Sequence, residues 1–270
     1  MDFLDQLMRL PYMRGLWFRF PLGSIDRRVQ HGIFPRPHYA FGLYWAALQA
    51  QRLGIARISA IEFGVAGGRG LVAMESAANA IGAHLGVAID VFGFDSGEGL
   101  PEPVDYRDLP HIWGGGFYQM DVAKLRSTLT NAQLVLGMVE QTVPAWLRAA
   151  ENAPLGFIAF DLDYYSSTKA ALEIFNCEEP RYLPRVYCYF DDVKCMQLGC
   201  MNPYVGELLA IREYNDAHAT RKICLIEQLR VQRPRWEIWQ ESMYAFHDFS
   251  HSQYNRLVVP RDETHSELRL

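Results

Sequence analysis

The chain has 270 residues, half of them hydrophobic and 21% charged, which is enough to bury a sizeable core and too apolar for disorder. A total of 26 Lys and Arg against 31 Asp and Glu leaves a formal charge of −5, which disfavours a duplex nucleic-acid binder. The 5 cysteines (Cys177, Cys188, Cys195, Cys200, Cys224) form no C-x-x-C pair and are odd in number, as expected for reduced thiols in a cytoplasmic protein rather than a disulfide framework or zinc site.

Asp2 and Asp5 stand where a signal peptide would carry basic residues. The most weakly polar stretch, Gly70 to Ile89, holds Glu75, Ser76, Asn79 and His84, so no membrane span is expected. Residues 1–50 read as a helical N-terminal extension and 51–270 as the main domain. The extension is aromatic and basic (Trp17, Phe18, Arg19, Phe20, then Arg27, Arg28, Arg36), with Pro35 and Pro37 setting it off. Asp2, Asp5 and Asp26 interrupt the positive face, which favours packing on the main domain, or homo-oligomer formation, over a membrane-surface helix. From Tyr39 to Leu53 helical periodicity places Phe41, Tyr44, Trp45, Leu48 and Leu53 near one stripe, stopped by Gly54.

Strands and helices then alternate. Ile58–Phe63 reads as a strand, Gly70–Ala83 as a helix, and Val87–Phe94 as a strand ending at Asp95. Gln133–Met138 is a strand candidate, with a helix starting around Pro144. Phe157–Phe160 is a strand ending in Asp161. Ser167–Phe175 is helical, with Ser166 or Ser167 as N-cap, and Val186–Phe190 is a strand ending in Asp191 and Asp192. An antiparallel strand pair is expected to close the chain. The alternation implies an α/β fold: a Rossmann-like, mostly parallel sheet with helices on both faces. Such sheets bind ligands at the carboxyl ends of their strands, where these acids sit.

Four motifs carry chemistry. In Glu62-Phe63-Gly64-Val65-Ala66-Gly67-Gly68-Arg69-Gly70, glycines after a strand allow a tight turn and close approach to a ligand. Gly68-Arg69-Gly70-Leu71-Val72-Ala73 fits the dinucleotide pattern G-x-G-x-x-A, but the strand ends by Gly64, too early for it. Asp95 also lies 27 residues after Gly68, against a usual spacing of about 20. The other use is a loop with Gly64, Gly67 and Gly68 beneath a nucleoside that carries an amino acid, whose ammonium Glu62 would accept. In Gly93-Phe94-Asp95-Ser96-Gly97-Glu98-Gly99-Leu100-Pro101, Asp95 is equally a ribose ligand or a turn residue. Asp161-Leu162-Asp163 and Asp191-Asp192 end two apolar strands. Carboxylates gathered there repel, so one pKa must rise or a divalent cation must bind, and all-oxygen ligands select Mg²⁺, Ca²⁺ or Mn²⁺.

With Gly137-Met138-Val139-Glu140-Gln141-Thr142-Val143-Pro144 and Asp161-Leu162-Asp163-Tyr164-Tyr165-Ser166-Ser167-Thr168 added, the series over roughly 55–195 resembles the class I S-adenosylmethionine-dependent methyltransferases, specifically the macrocin O-methyltransferase group. The resemblance implies that Glu62, Gly64 and Gly67 line the methionine end of S-adenosylmethionine. It places Asp95 and Ser96 at the ribose and Met138 near the adenine. It makes Asp161, Asp191 and Asp192 ligands of Mg²⁺ and Asp163 the general base. The implied reaction is methylation of a hydroxyl on a small acceptor such as a glycosyl group; a metal would lower the pKa of that hydroxyl. The chain departs from the family pattern in having Pro184-Arg185 for a glycine pair, Gly97 for an aromatic, and about two extra residues between Asn176 and Pro184.

Other functions remain open: an NAD-dependent oxidoreductase, or a non-catalytic methyltransferase-fold binding protein. His247 and His251 read as strand-end histidines ahead of a catalytic base or metal pair. His111 and Trp113, before Gly114-Gly115-Gly116, read equally as an acceptor lid or a surface loop.

Overall fold

The computed structural model describes residues 11–194 and 201–258, so Asp2, Asp5, Cys195 and Cys200 lie outside the described residues. Seven strands form one sheet: β1 (Arg57–Phe63), β2 (Ala88–Asp95), β3 (Gln133–Leu136), β4 (Leu155–Phe160), β5 (Tyr182–Phe190), β6 (Arg221–Leu225) and β7 (Met243–Asp248). Their order across the sheet is β3-β2-β1-β4-β5-β7-β6. The first five are parallel, while β7 runs antiparallel to both β5 and β6, as the expected closing pair. Strands β1, β4 and β5 are near-continuous apolar runs because both sheet faces are covered. The period of two is still visible in the packing. Ala60, Phe157 and Ala159 join the core on one face, and Ile61, Phe63, Ile158 and Phe160 the core on the other.

One face carries α1 (Pro11–Arg19), α2 (Ile25–Gln30), α3 (Pro37–Leu53) and α4 (Arg69–Leu85), of which α3 and α4 pack directly on the strands and on each other. After α5 (Val122–Thr128), the other face carries α6 (Val139–Arg148), α7 (Tyr165–Leu172) and α8 (Gly206–Ala217); the short α9 (Leu229–Gln232) follows β6. Tyr12, Leu16, Phe18 and Phe20 of the first helical segment are exposed. No helix among the described residues is long and apolar enough to cross a membrane.

Several elements differ from expectation for identifiable reasons. In α3 the buried side is wider than the expected stripe: Phe41 and Leu53 of that stripe are buried, Trp45 is exposed, and Tyr39, Leu43, Ala46, Ala47 and Ala50 are buried as well. The helix presses so close to the sheet that a Cβ on Gly42 would lie 2.2 Å from the Phe157 ring, so small residues mark the inward side. Helix α6 begins at Val139 and runs through Pro144, because its face of Val139, Thr142, Val143 and Trp146 is buried and outweighs the missing N–H. Helix α7 begins at Tyr165, with Ser166 inside it. Its cap comes from a distant acid: Ser166 N–H and Oγ–H donate to the two oxygens of buried Asp108 at 2.8 and 3.0 Å. The surplus residues near Pro184 are taken up inside β5. Leu155 pairs with Tyr182 but Phe157 pairs with Tyr187, a bulge that accommodates a proline.

Candidate active site

The carboxyl ends of β1 to β5 open onto a cavity of about 580 Å³ at the β1/β4 switch point of the strand order. Glu62, Gly64, Gly67, Asp95, Ser96, Met138, Asp161, Asp163, Asp191 and Asp192 all line it. The structure thus brings every expected site residue to one place.

The loop between β1 and α4 has glycines where it needs them. Gly64 has φ +81°, and a Cβ there would lie 1.7 Å from the Asp161 carbonyl oxygen. A Cβ on Gly70 would lie 1.8 Å from Glu62 Oε1. Glu62 is 2% exposed; its Oε1 accepts the Tyr39 hydroxyl at 2.6 Å, and its Oε2 has no partner. Burial pushes its pKa up to about 8, against the Tyr39 hydrogen bond and the Arg36 charge, which favour ionisation. Gly68 is the N-cap of α4, five residues beyond the end of β1, so the G-x-G-x-x-A segment does not form the strand–turn–helix junction that a dinucleotide fingerprint needs.

Asp95 is a turn residue that also lines the cavity. Its Oδ2 accepts the Val65 and Ala66 N–H groups at 2.9 Å each, and its Oδ1 accepts that of Gly97 at 2.7 Å. It therefore ties the glycine loop to its own turn while facing the cavity. Ser96 Oγ is engaged locally, donating to the Gly99 carbonyl at 2.8 Å and accepting the Glu98 N–H at 3.1 Å. Met138 caps α6 and leaves 38% of its surface open.

Asp161, at the end of β4, is raised well above the usual carboxylate range by desolvation and by the charges of Asp191, Asp192 and Glu62. Asp163 is buried, with backbone φ +59°, a strained conformation that Asp tolerates better than most residues. Burial and the Asp161 charge push its pKa up to about 7, with the Trp113 side chain as an opposing hydrogen-bond partner. Its N–H donates to Asp192 Oδ2 at 3.0 Å. Asp191 Oδ1 accepts the Tyr189 hydroxyl at 2.5 Å. The oxygen-only chemistry suits a hard divalent cation. Yet no group of three or more His, Cys, Asp or Glu side chains among the described residues is placed to hold a metal ion. Asp191 and Asp192 each accept one hydrogen bond from a protein donor and keep further lone pairs.

Trp113, weighed as part of a lid, lines the cavity together with Tyr118 from the glycine-rich segment after β2. Three other contributors were missed in the sequence: Arg36 lines the cavity from the N-cap of α3, Tyr39 stands behind it and bonds Glu62, and Glu207 of α8 is fully buried and accepts the Asp192 N–H at 3.0 Å. The Pro-Arg-Pro sequence at 35–37 was the one available signal, since a residue held between two prolines is conformationally restricted. His111 is exposed and not among the lining residues, whereas Trp113 is buried against the cavity. His247 and His251 lie at the opposite end of the sheet: His247 pairs with Arg185 at the start of β5 and bonds Tyr254, and His251 sits 3.2 Å from Glu179. Cys177, Cys188 and Cys224 are free thiols.

No protein-family model matches the chain, nor does any curated protein. Among solved structures it is similar to the calicheamicin methyltransferase CalS11, with 23% identity and a TM-score of 0.51 over 78% of this chain and 79% of that one. An apo structure of CalS11, described as a TDP-rhamnose 3'-O-methyltransferase, aligns with 22% identity and a TM-score of 0.44 over 89% and 93% of the two chains. An O-methyltransferase from Bacillus cereus in complex with SAH aligns with 13% identity and a TM-score of 0.36 over 76% and 78%. The first pairing carries the fold.

Proposed function

We propose that this chain, built on the methyltransferase fold, is an S-adenosylmethionine-dependent O-methyltransferase acting on a small hydroxylated acceptor. The observation that carries this is one cavity with two chemically distinct ends. One end is a glycine loop over a buried carboxyl with a free oxygen, and the other is a set of four aspartates. The first suits an ammonium-bearing nucleoside, the second suits hydroxyls. A glycosyl acceptor, as in the TDP-rhamnose 3'-O-methyltransferase named above, fits the second end.

S-adenosylmethionine, when bound, supplies an electrophilic methyl group. Glu62, ionised, holds its ammonium; Gly64 and Gly67 let the backbone approach it; Asp95 offers remaining lone pairs to the ribose hydroxyls; Met138 covers the base. Asp163, with a pKa near working pH, would accept the proton of the acceptor hydroxyl as its oxygen takes the methyl group and the donor's S–C bond breaks, releasing S-adenosylhomocysteine. Trp113 and Tyr118 wall the acceptor side, so that binding itself supplies the alignment. Asp161, Asp191 and Asp192 would hold a Mg²⁺ ion brought in with the acceptor, and it would relieve their mutual repulsion and acidify the bound hydroxyl.

Calorimetry with S-adenosylhomocysteine, with and without Mg²⁺, tests the reading: heat is expected in both, and its absence in both overturns it. Methyl transfer from labelled S-adenosylmethionine to a panel of sugars and phenols, with and without EDTA, tests the metal. Asp163→Asn is expected to abolish transfer while leaving S-adenosylhomocysteine binding intact. Full transfer in EDTA removes Mg²⁺ from the mechanism.

A further inference from the structure

The ammonium and carboxylate of an amino acid hang from one carbon. A wall that fixes the first must therefore also accommodate the second. On the glycine-loop side, the N–H groups of Val65 and Ala66 would be natural donors to a carboxylate, but Asp95 Oδ2 already occupies both. The cations lining the cavity are Arg36 and Arg69. Arg69 is exposed at the first position of α4, whereas Arg36 is half-buried at the N-cap of α3.

Arg36 is fixed rather than free. It lies between Pro35 and Pro37, with φ −122° and ψ 85°, the extended backbone that a residue before proline prefers. Its guanidinium lies 5.8 Å from the centroid of the Tyr39 ring, and the hydroxyl of that same ring holds Glu62. Tyr39 thus ties the arginine and the carboxyl together across one wall. Arg36 lines the cavity together with Glu62 and Asp161, and its positive charge favours the ionised form of both. The cavity already holds Asp161, Asp163, Asp191 and Asp192, so an anion entering it is disfavoured except where a cation such as Arg36 offsets them.

We propose that Arg36 binds the α-carboxylate of the methyl donor's amino-acid group while Glu62 binds its ammonium, the two forming a clamp across Tyr39. This rests on the S-adenosylmethionine reading above. A planar guanidinium matches a carboxylate with two parallel hydrogen bonds, which lysine cannot reproduce.

The test is calorimetry with two ligands, S-adenosylhomocysteine and its decarboxylated analogue, on the wild type, Arg36→Gln and Arg36→Lys. The wild type is expected to prefer S-adenosylhomocysteine by about tenfold or more, as a charge-assisted hydrogen bond supplies. Arg36→Gln is expected to bind the analogue as the wild type does and to lose the preference; Arg36→Lys is expected to keep part of it. The inference is overturned if the wild type shows no preference, or if either variant weakens both ligands equally. Should Arg36→Gln fail to fold, the lysine variant decides by the same criterion. A wild type that binds neither ligand refutes the methyl-donor reading itself, a separate outcome.

Discussion

The hydroxyl of Tyr39 donates to Glu62 Oε1 at 2.6 Å from 23 residues earlier in the chain, and both groups are buried. Nothing else described bonds that carboxyl: Oε2 has no partner, and Gly70 leaves it room. Burying a carboxyl with one oxygen unpaired is costly, and it becomes favourable when a cation arrives.

Removing that single hydroxyl exposes the cost. Tyr39→Phe keeps the ring packing of α3 but leaves Glu62 without its donor. We expect a stability loss of about 1–3 kcal/mol in urea unfolding. Weaker binding of S-adenosylhomocysteine at pH 7 is also expected, because Glu62 loses a group that favours its ionised form.

The pH dependence has a definite sign. Glu62 titrates at about 8 when folded, against an ordinary value of 4.5. Between those values the folded chain holds a proton that the unfolded chain lacks, so this group's contribution is full below pH 4.5 and is lost as pH rises toward 8. The slope is at most about 1.4 kcal/mol per pH unit. Glu62→Gln is expected to flatten the stability curve across that window in denaturant titrations. Donor binding runs the other way, since it needs the ionised carboxylate: affinity for S-adenosylhomocysteine should rise toward pH 8. It should fall at higher pH, where the ligand's own α-amino group loses its proton.

Gly64→Ala tests the floor of the site. The residue needs φ +81°, and its new Cβ would overlap a backbone carbonyl rather than a movable side chain. A loss of about 3 kcal/mol or more is expected in thermal or urea unfolding, beyond the usual range for an alanine substitution. A variant with wild-type stability would show that the loop and the end of β4 are farther apart in solution.

Asp95→Ala removes the acceptor of three backbone N–H groups. We expect more than about 1 kcal/mol of destabilisation and a larger relative loss of S-adenosylhomocysteine affinity. Hydrogen exchange at Val65 and Ala66 should accelerate by the same cause. Unchanged exchange there would mean that Asp95 serves the ligand alone.

The strands were legible in the sequence because their apolar runs are short and end in glycine or aspartate, and the acids at those ends fixed the site's location. What was not legible follows from distance and crowding. Arg36 and Tyr39 sit at the start of a helix whose expected stripe of large residues captured only part of the inward side, since close approach to Phe157 selects glycine and alanine there. The true cap of α7 is Asp108, 58 residues from Ser166, so no local pattern could reveal it. Asp95 was left balanced between ligand and turn because both uses demand a carboxylate at a strand end. The aspartate pairs predicted a metal by charge alone. Tyr189 and the Asp163 N–H, which occupy two of those oxygens, are visible only in three dimensions.

The placement of α3 sets where the chain can be shortened. Every glycine and acidic motif lies after Arg57, so a protein begun at the first strand would retain all of them and still look complete on paper. It would nevertheless lack Arg36 and Tyr39, strip the cover from Phe157, and leave Glu62 open to water along one side. Such a truncation would hold its recognisable motifs and lose the part of the cavity wall, and the support behind it, that carries no motif at all.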